Sequence, residues 1–139
     1  MKKTISFALV SVLLLTGILG MVLPGKSAMS GPDLTILDGS IERHWSQIHH
    51  AWYLTATAEN IGSEDVNSCF HIQWFVGGKS IGYKSLCYLD AGDTATIQSP
   101  YFTASGTQNV QVHIDCYNDI AETNENNNWA SARLWFSLA

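Results

Sequence analysis

Charge is scarce in this chain. Of its 139 residues only 14% are Asp, Glu, Lys or Arg, and seven basic residues stand against twelve acidic ones, a formal charge of −5. A nucleic-acid binder needs a basic stripe and a polybasic membrane-surface protein needs a basic cluster; neither is present, so no nucleic-acid partner is expected. No segment carries a 3.6-residue apolar period, which argues against a helical fold. There is no internal repeat, no Gly-x-Ser-x-Gly elbow and no glycine-rich phosphate loop. The acids cluster in turns, so no carboxylate pair for glycoside chemistry stands out. Three cysteines are present without the C-x-x-C spacing of a structural zinc site. Zinc held by Cys69, Cys87, Cys116 and a histidine is therefore a remote alternative. Aromatic residues, by contrast, make up 11% of the chain, and so many argue against disorder.

The one long hydrophobic run is at the start. Met1-Lys2-Lys3 precedes an uncharged stretch from Ile5 to Leu23, followed by Pro24-Gly25 and the small-residue segment Ser27-Ala28-Met29-Ser30. This is the layout of a secretory signal peptide, cut after Ser30 with Ala28 three residues before the cut. The run is also long enough to span a bilayer, so an uncleaved anchor over 5–23 is the competing reading. No cysteine follows it to carry a lipid. Residues 1–30 are thus read as signal peptide or anchor helix and 31–139 as one domain. Both readings place that domain outside the cytoplasm, secreted or membrane-anchored, and it meets a membrane only if the segment stays uncleaved. Without residues 1–30 the chain has four basic residues against twelve acidic.

From residue 34 onward, short β-favouring runs alternate with turn residues. Trp52, Leu54, Ala56 and Ala58 share one face of a strand over 51–60. Phe70, Ile72, Trp74 and Val76 share one face of a strand over 69–76. Gly77-Gly78-Lys79 predicts a hairpin turn, with 81–89 returning from it. Thr94–Ile97 and Tyr101–Thr103 are short pieces broken by Pro100. Val110, Val112 and Ile114 form one inner set, and Ala130, Ala132, Leu134 and Phe136 the last. Ser40 to His50 reads as a connection with Trp45 and Ile48 tucked onto the core edge. About seven strands at this spacing predict an all-β antiparallel sandwich.

Several of these runs carry a family resemblance. Pro32-Asp33-Leu34 opens the domain, TATAENIGS (55–63) and LDAGDTATI (89–97) form strand-and-turn signatures, and DCYNDIAETNENNN (115–128) carries a D-x-x-N-x-I-x-E-x-N-E-x-N-N pattern. Together they resemble CARDB, the cell-adhesion-related domain found in bacteria. The resemblance covers about 32–138 and implies an immunoglobulin-like β-sandwich acting as an extracellular binding or spacer module. It brings no catalytic residues. The chain departs from the pattern in having Cys116 where many relatives have proline, and in its three cysteines.

Individual side chains add further expectations. A hairpin centred on residue 78 places Cys69 opposite Cys87, which favours a Cys69–Cys87 disulfide, with Cys69–Cys116 as the alternative. The acidic-amide run offers hard oxygen donors suited to weak calcium binding, with Asp115, Asn118, Glu122 and Asn124 as candidates. Its simpler role is mechanical: Asn and Asp accept left-handed backbone and bond their own turns, while Ile120 plugs the loop onto the core. His71 and His113 fall on the outer faces of neighbouring strands, where a facing pair could hold a transition metal but more commonly is only a solvated face. His44, His49 and His50 sit in or beside a polar connection. Outward positions also include Phe75, Tyr83, Trp129, Arg133 and Trp135. Contiguous exposed aromatics suit a sugar ring or a protein surface, unless the termini, the 40–50 segment or a second copy covers them. The expected function is therefore a non-catalytic adhesion or binding module for a protein or carbohydrate surface ligand, with no cofactor beyond weakly held calcium. The alternatives are a secreted inhibitor or chaperone-like partner of one protein, and a small hydrolase using the acidic loop.

Overall fold

The structure, a computed structural model, describes residues 30–138. The signal or anchor reading of residues 1–30 therefore lies outside the described residues, apart from Ser30. Among the described residues no helix is long and apolar enough to cross a membrane.

Eight strands follow in order: β1 (Leu34–Ile36), β2 (Glu42–Ser46), β3 (Ala51–Asn60), β4 (Val66–Val76), β5 (Lys79–Leu89), β6 (Thr94–Gln98), β7 (Gly106–Ile114) and β8 (Trp129–Phe136). They form two antiparallel sheets, one with β3 between β1/β2 and β6, the other ordered β5-β4-β7-β8. β1 and β2 pair in succession with β3, Ile36 opposite Ala58 and Glu42 opposite Thr55. The five residues between them therefore bulge against only two of β3. Leu37 N–H donates to the Thr57 carbonyl at 2.8 Å, and Thr57 N–H donates to the Ser40 hydroxyl at 3.0 Å, pinning the bulge.

Strand alternation decides what is buried. Leu34, Ile36, Trp52, Leu54, Ala56, Ala58 and Ile97 enter from the first sheet; Phe70, Ile72, Trp74, Val110, Val112, Ile114 and Phe136 enter from the second. Trp52, Phe102 and Phe136 meet edge to face at one end, with centroids 5.3–5.5 Å apart. At the other end the chain returns over itself so closely that a Cβ on Gly62 would collide with the Gly31 carbonyl.

Three expectations change. The connection over 40–50 contains a strand, β2, whose sequence Glu-Arg-His-Trp-Ser has one large apolar residue and no alternation to announce it. Backbone pairing with β3 forms it. Trp45 packs on the core edge as expected, but Ile48 is 85% exposed in the turn between β2 and β3 and is not tucked in. The hairpin turn is Gly77-Gly78 alone, both at positive φ (61° and 83°), and Lys79 already belongs to β5. That left-handed pair is what a two-residue hairpin turn demands.

Candidate functional site

The outer face of the β5-β4-β7-β8 sheet collects most of the predicted binding residues. Register places Tyr83 opposite Gln73, Gln73 opposite His113, and His113 opposite Trp129, one row across four strands. The next row places Phe75 opposite Gln111 and Gln111 opposite Ser131. His113 stacks on Trp129 at 3.9 Å between ring centroids, and Phe75 lies 5.7 Å from the same indole. Burial beneath that ring lowers the His113 pKa against the raising pull of Asp115, which favours a neutral, stackable imidazole. On the opposite flank Tyr83 stacks on Tyr117 at 5.3 Å, and His71 lies 4.8 Å from Tyr117. His71 is held by Asp119, Nδ1 to Oδ2 at 2.9 Å.

His71 and His113 do not face each other as a metal pair would. His113 is opposite Gln73, one row on, and each imidazole is engaged by a different aromatic ring. Tyr117, which joins His71 to Tyr83, was missed because it lies past the end of β7, where alternation says nothing. Arg133 and Trp135 lie on the same outer face but farther along β8, opposite Asn109 and Thr107. Trp135 lies six steps along the strand from Trp129, about 20 Å. Among the described residues the candidate binding residues thus fall into two aromatic stacks, one on each flank, plus a distant Arg133–Trp135 pair.

The acidic loop sits at the end of the sandwich where β1 starts, β7 ends and β8 begins. Asp115, at φ 54° and 5% exposed, accepts from Asp119 N–H at 2.7 Å and Ile120 N–H at 3.1 Å. Ile120 is buried beneath, as expected. Glu122 Oε1 accepts from the Leu34 amide at 2.7 Å, and both Glu122 oxygens accept from the buried Asn128 amide at 3.0–3.1 Å. Asn128 also donates to the Leu34 carbonyl at 2.9 Å. Burial pushes the Glu122 carboxyl up to about 7, with Asp115 adding to the rise and the Leu34 and Asn128 hydrogen bonds opposing it.

Carboxylate oxygens of Asp115, Glu122 and Glu125 lie within 4.8 Å of one another. Glu125 was not among the calcium candidates. Nothing in its exposed position distinguishes it in the sequence; the loop folds back so that it accepts from Glu122 N–H at 2.8 Å. Asn118 occupies an exposed left-handed turn position, and Asn124 accepts from Asn126 N–H at 2.9 Å, so both serve the turn. Cys69 and Cys87 form the favoured disulfide and Cys116 is free, which sets aside the Cys69–Cys116 alternative and a three-thiol zinc site.

The CARDB family matches residues 31–132. The chain belongs to the CARDB family. This is a family of cell-adhesion-related, non-enzymatic domains. Among solved structures, the chain is similar to the CARDB domain of the PF1109 protein from Pyrococcus furiosus, solved in complex with di-metal ions. The two are 19% identical with a TM-score of 0.63, covering 81% of this chain and 100% of that one. It is also similar to a domain of a putative cell surface protein from Methanosarcina acetivorans, at 22% identity and TM-score 0.57, covering 79% and 94%. At these identities the likeness establishes the shared CARDB fold. No curated protein matches the chain.

Proposed function

We propose that this CARDB domain is an exported, non-catalytic adhesion module that holds a surface glycan on the outer face of the β5-β4-β7-β8 sheet. The carrying observation is the pair of aromatic stacks, Tyr83–Tyr117 and His113–Trp129, flanking the uncharged Gln73, with the uncharged Gln111 in the next row. Ring faces bind the apolar faces of sugars, and amides hydrogen-bond their hydroxyls. The disulfide supports an oxidising, extracytoplasmic compartment. The test is retention on envelope glycans together with a pull-down from the native envelope, each repeated with Trp129→Ala and Tyr83→Ala. Glycan retention lost in both variants supports the reading. A single stoichiometric protein partner, or retention unchanged in both variants, overturns it, and the protein partner would favour the inhibitor or chaperone-like alternative.

A second reading adds a cation at the loop. Carboxylate oxygens of Asp115, Glu122 and Glu125 converge to within 4.8 Å of one another, and a relative of the same fold was solved with di-metal ions. Hard carboxylate oxygens fit calcium, held weakly as in extracellular modules. The loop's hydrogen bonds already organise it, so the ion adds to an ordered site.

A further inference from the structure

The two sheets end in four edges, and three are blunted against pairing with another chain. The β1/β2 edge consists of three- and five-residue strands broken by the bulge over 37–41. β6 has five residues and ends beside Pro100. β5 is long, but its register shifts twice, Gly82 and Tyr88 take positive φ, and it carries Lys79 and Lys84. These are the devices that keep natural edges from associating. β8 has none of them beyond a single charged side chain. Its eight residues pair with β7 in unbroken register, contain no glycine or proline, and carry one charge, Arg133. Its inward Ala130, Ala132 and Leu134 are only half-buried, while its outward Trp129 and Trp135 are 52% and 56% exposed.

From these observations we infer that β8 pairs antiparallel with β8 of a second copy of this chain, centred on Ala132 and joining two four-stranded sheets into one. The ladder leaves the needed groups free. Ile114 N–H bonds the Asn128 carbonyl at 2.9 Å, so in the continuous β7–β8 register the even-numbered residues of β8 bond β7. Alternation then points the N–H and C=O groups of Trp129, Ser131, Arg133 and Trp135 at the open edge. A two-fold pairing must match these odd residues with one another. Centring on Arg133 would set two guanidinium groups directly opposite, which is unfavourable. Centring on Ser131 would leave Trp135 beyond the partner strand. Centring on Ala132 sets Trp129 opposite the partner's Trp135, Ser131 opposite the partner's Arg133, and Ala132 opposite its own copy. Both exposed tryptophans then gain aromatic cross-strand partners, and on the inner face Ala130 meets the partner's Leu134, an apolar pair of small against large. The self-complementary spacing of the two tryptophans about Ala132 selects a second copy over a foreign strand.

The test is sedimentation equilibrium of the exported chain across a concentration series, with three variants at Ser131. Ser131→Pro removes an N–H that serves only the open edge, a change edge strands tolerate. It should weaken dimerisation about tenfold or more, because symmetry loses the bond twice. Ser131→Glu, opposite the partner's Arg133, should tighten the dimer about threefold, and Ser131→Arg should weaken it. The two charge variants keep the test open if the proline variant fails to fold. A wild-type chain that stays monomeric at its solubility limit overturns the inference, whether or not it captures an added peptide strand. A dimer that ignores both charge variants overturns it equally.

Discussion

Asp115 shows how much one side chain does at the turn after β7. Its left-handed backbone suits Asp or Asn and strains most other residues. Its carboxylate satisfies two loop amides, one of them buried. Asp115→Ala should therefore cost ~1–3 kcal/mol or more in denaturant unfolding, while Asp115→Asn, which keeps the backbone preference and one acceptor, costs less. Glu122 predicts a pH profile. Its folded pKa of about 7 lies above the ordinary 4.5, so the folded state binds more protons between those values. The Glu122 contribution to stability is full below about 4.5 and is lost as pH rises through about 7. Thermal melting in chelator should show this decline, and Glu122→Gln should flatten it, since the amide stands in for the protonated acid and still accepts from Leu34. Trp135 lies at the opposite extreme. At 56% exposure, Trp135→Ala should change the stability of the single domain by less than ~0.5 kcal/mol. A loss of ~3–5 kcal/mol, the cost of truncating a buried aromatic, would place the ring in the core instead.

At the scale of elements, strands that alternate were legible and those that pair without alternating were not. β3, β4 and β7 bury residues in the order their apolar spacing predicts. β2 carries polar side chains on an edge, and its only reason to be extended is the β3 backbone, which sequence pattern cannot register. The Cys69–Cys87 pairing was legible through two departures that cancel. The turn is one residue shorter than expected, and a bulge between Trp74 and Phe75 restores the register. With cysteines 18 residues apart, the cross-link should stabilise by ~3 kcal/mol or less on the loop-entropy estimate. Non-reducing peptide mapping should recover this pair with Cys116 as the free thiol, and melting with and without reductant should give the difference.

Across the whole molecule the 115–128 loop is the clasp between sheets. Glu122 and Asn128 bond Leu34, Thr123 N–H bonds the Pro32 carbonyl at 3.0 Å, and Asn127 bonds Asp33 at 2.8 Å, so β1 is tied to the β7–β8 hairpin at one end of the sandwich. The amide-rich run is legible as a turn-former from composition, but its reach to a segment some ninety residues away is a property of the fold. Because these bonds are all between groups of the chain itself, β1 amides should be protected from hydrogen exchange in chelator. On the proposed calcium reading, the ion adds to that. With a dissociation constant of ~10⁻⁴–10⁻³ M, calcium at about ten times that value adds ~1.4 kcal/mol to the folded state. In a domain this small, that raises the melting temperature by several degrees. Glu125→Gln is the informative variant, since Glu125 is exposed and its one described bond is to the Glu122 amide. It should remove the calcium-dependent rise while leaving the chelated melting temperature nearly unchanged. A chain that melts identically in chelator and in millimolar calcium would assign the three carboxylates to the clasp alone.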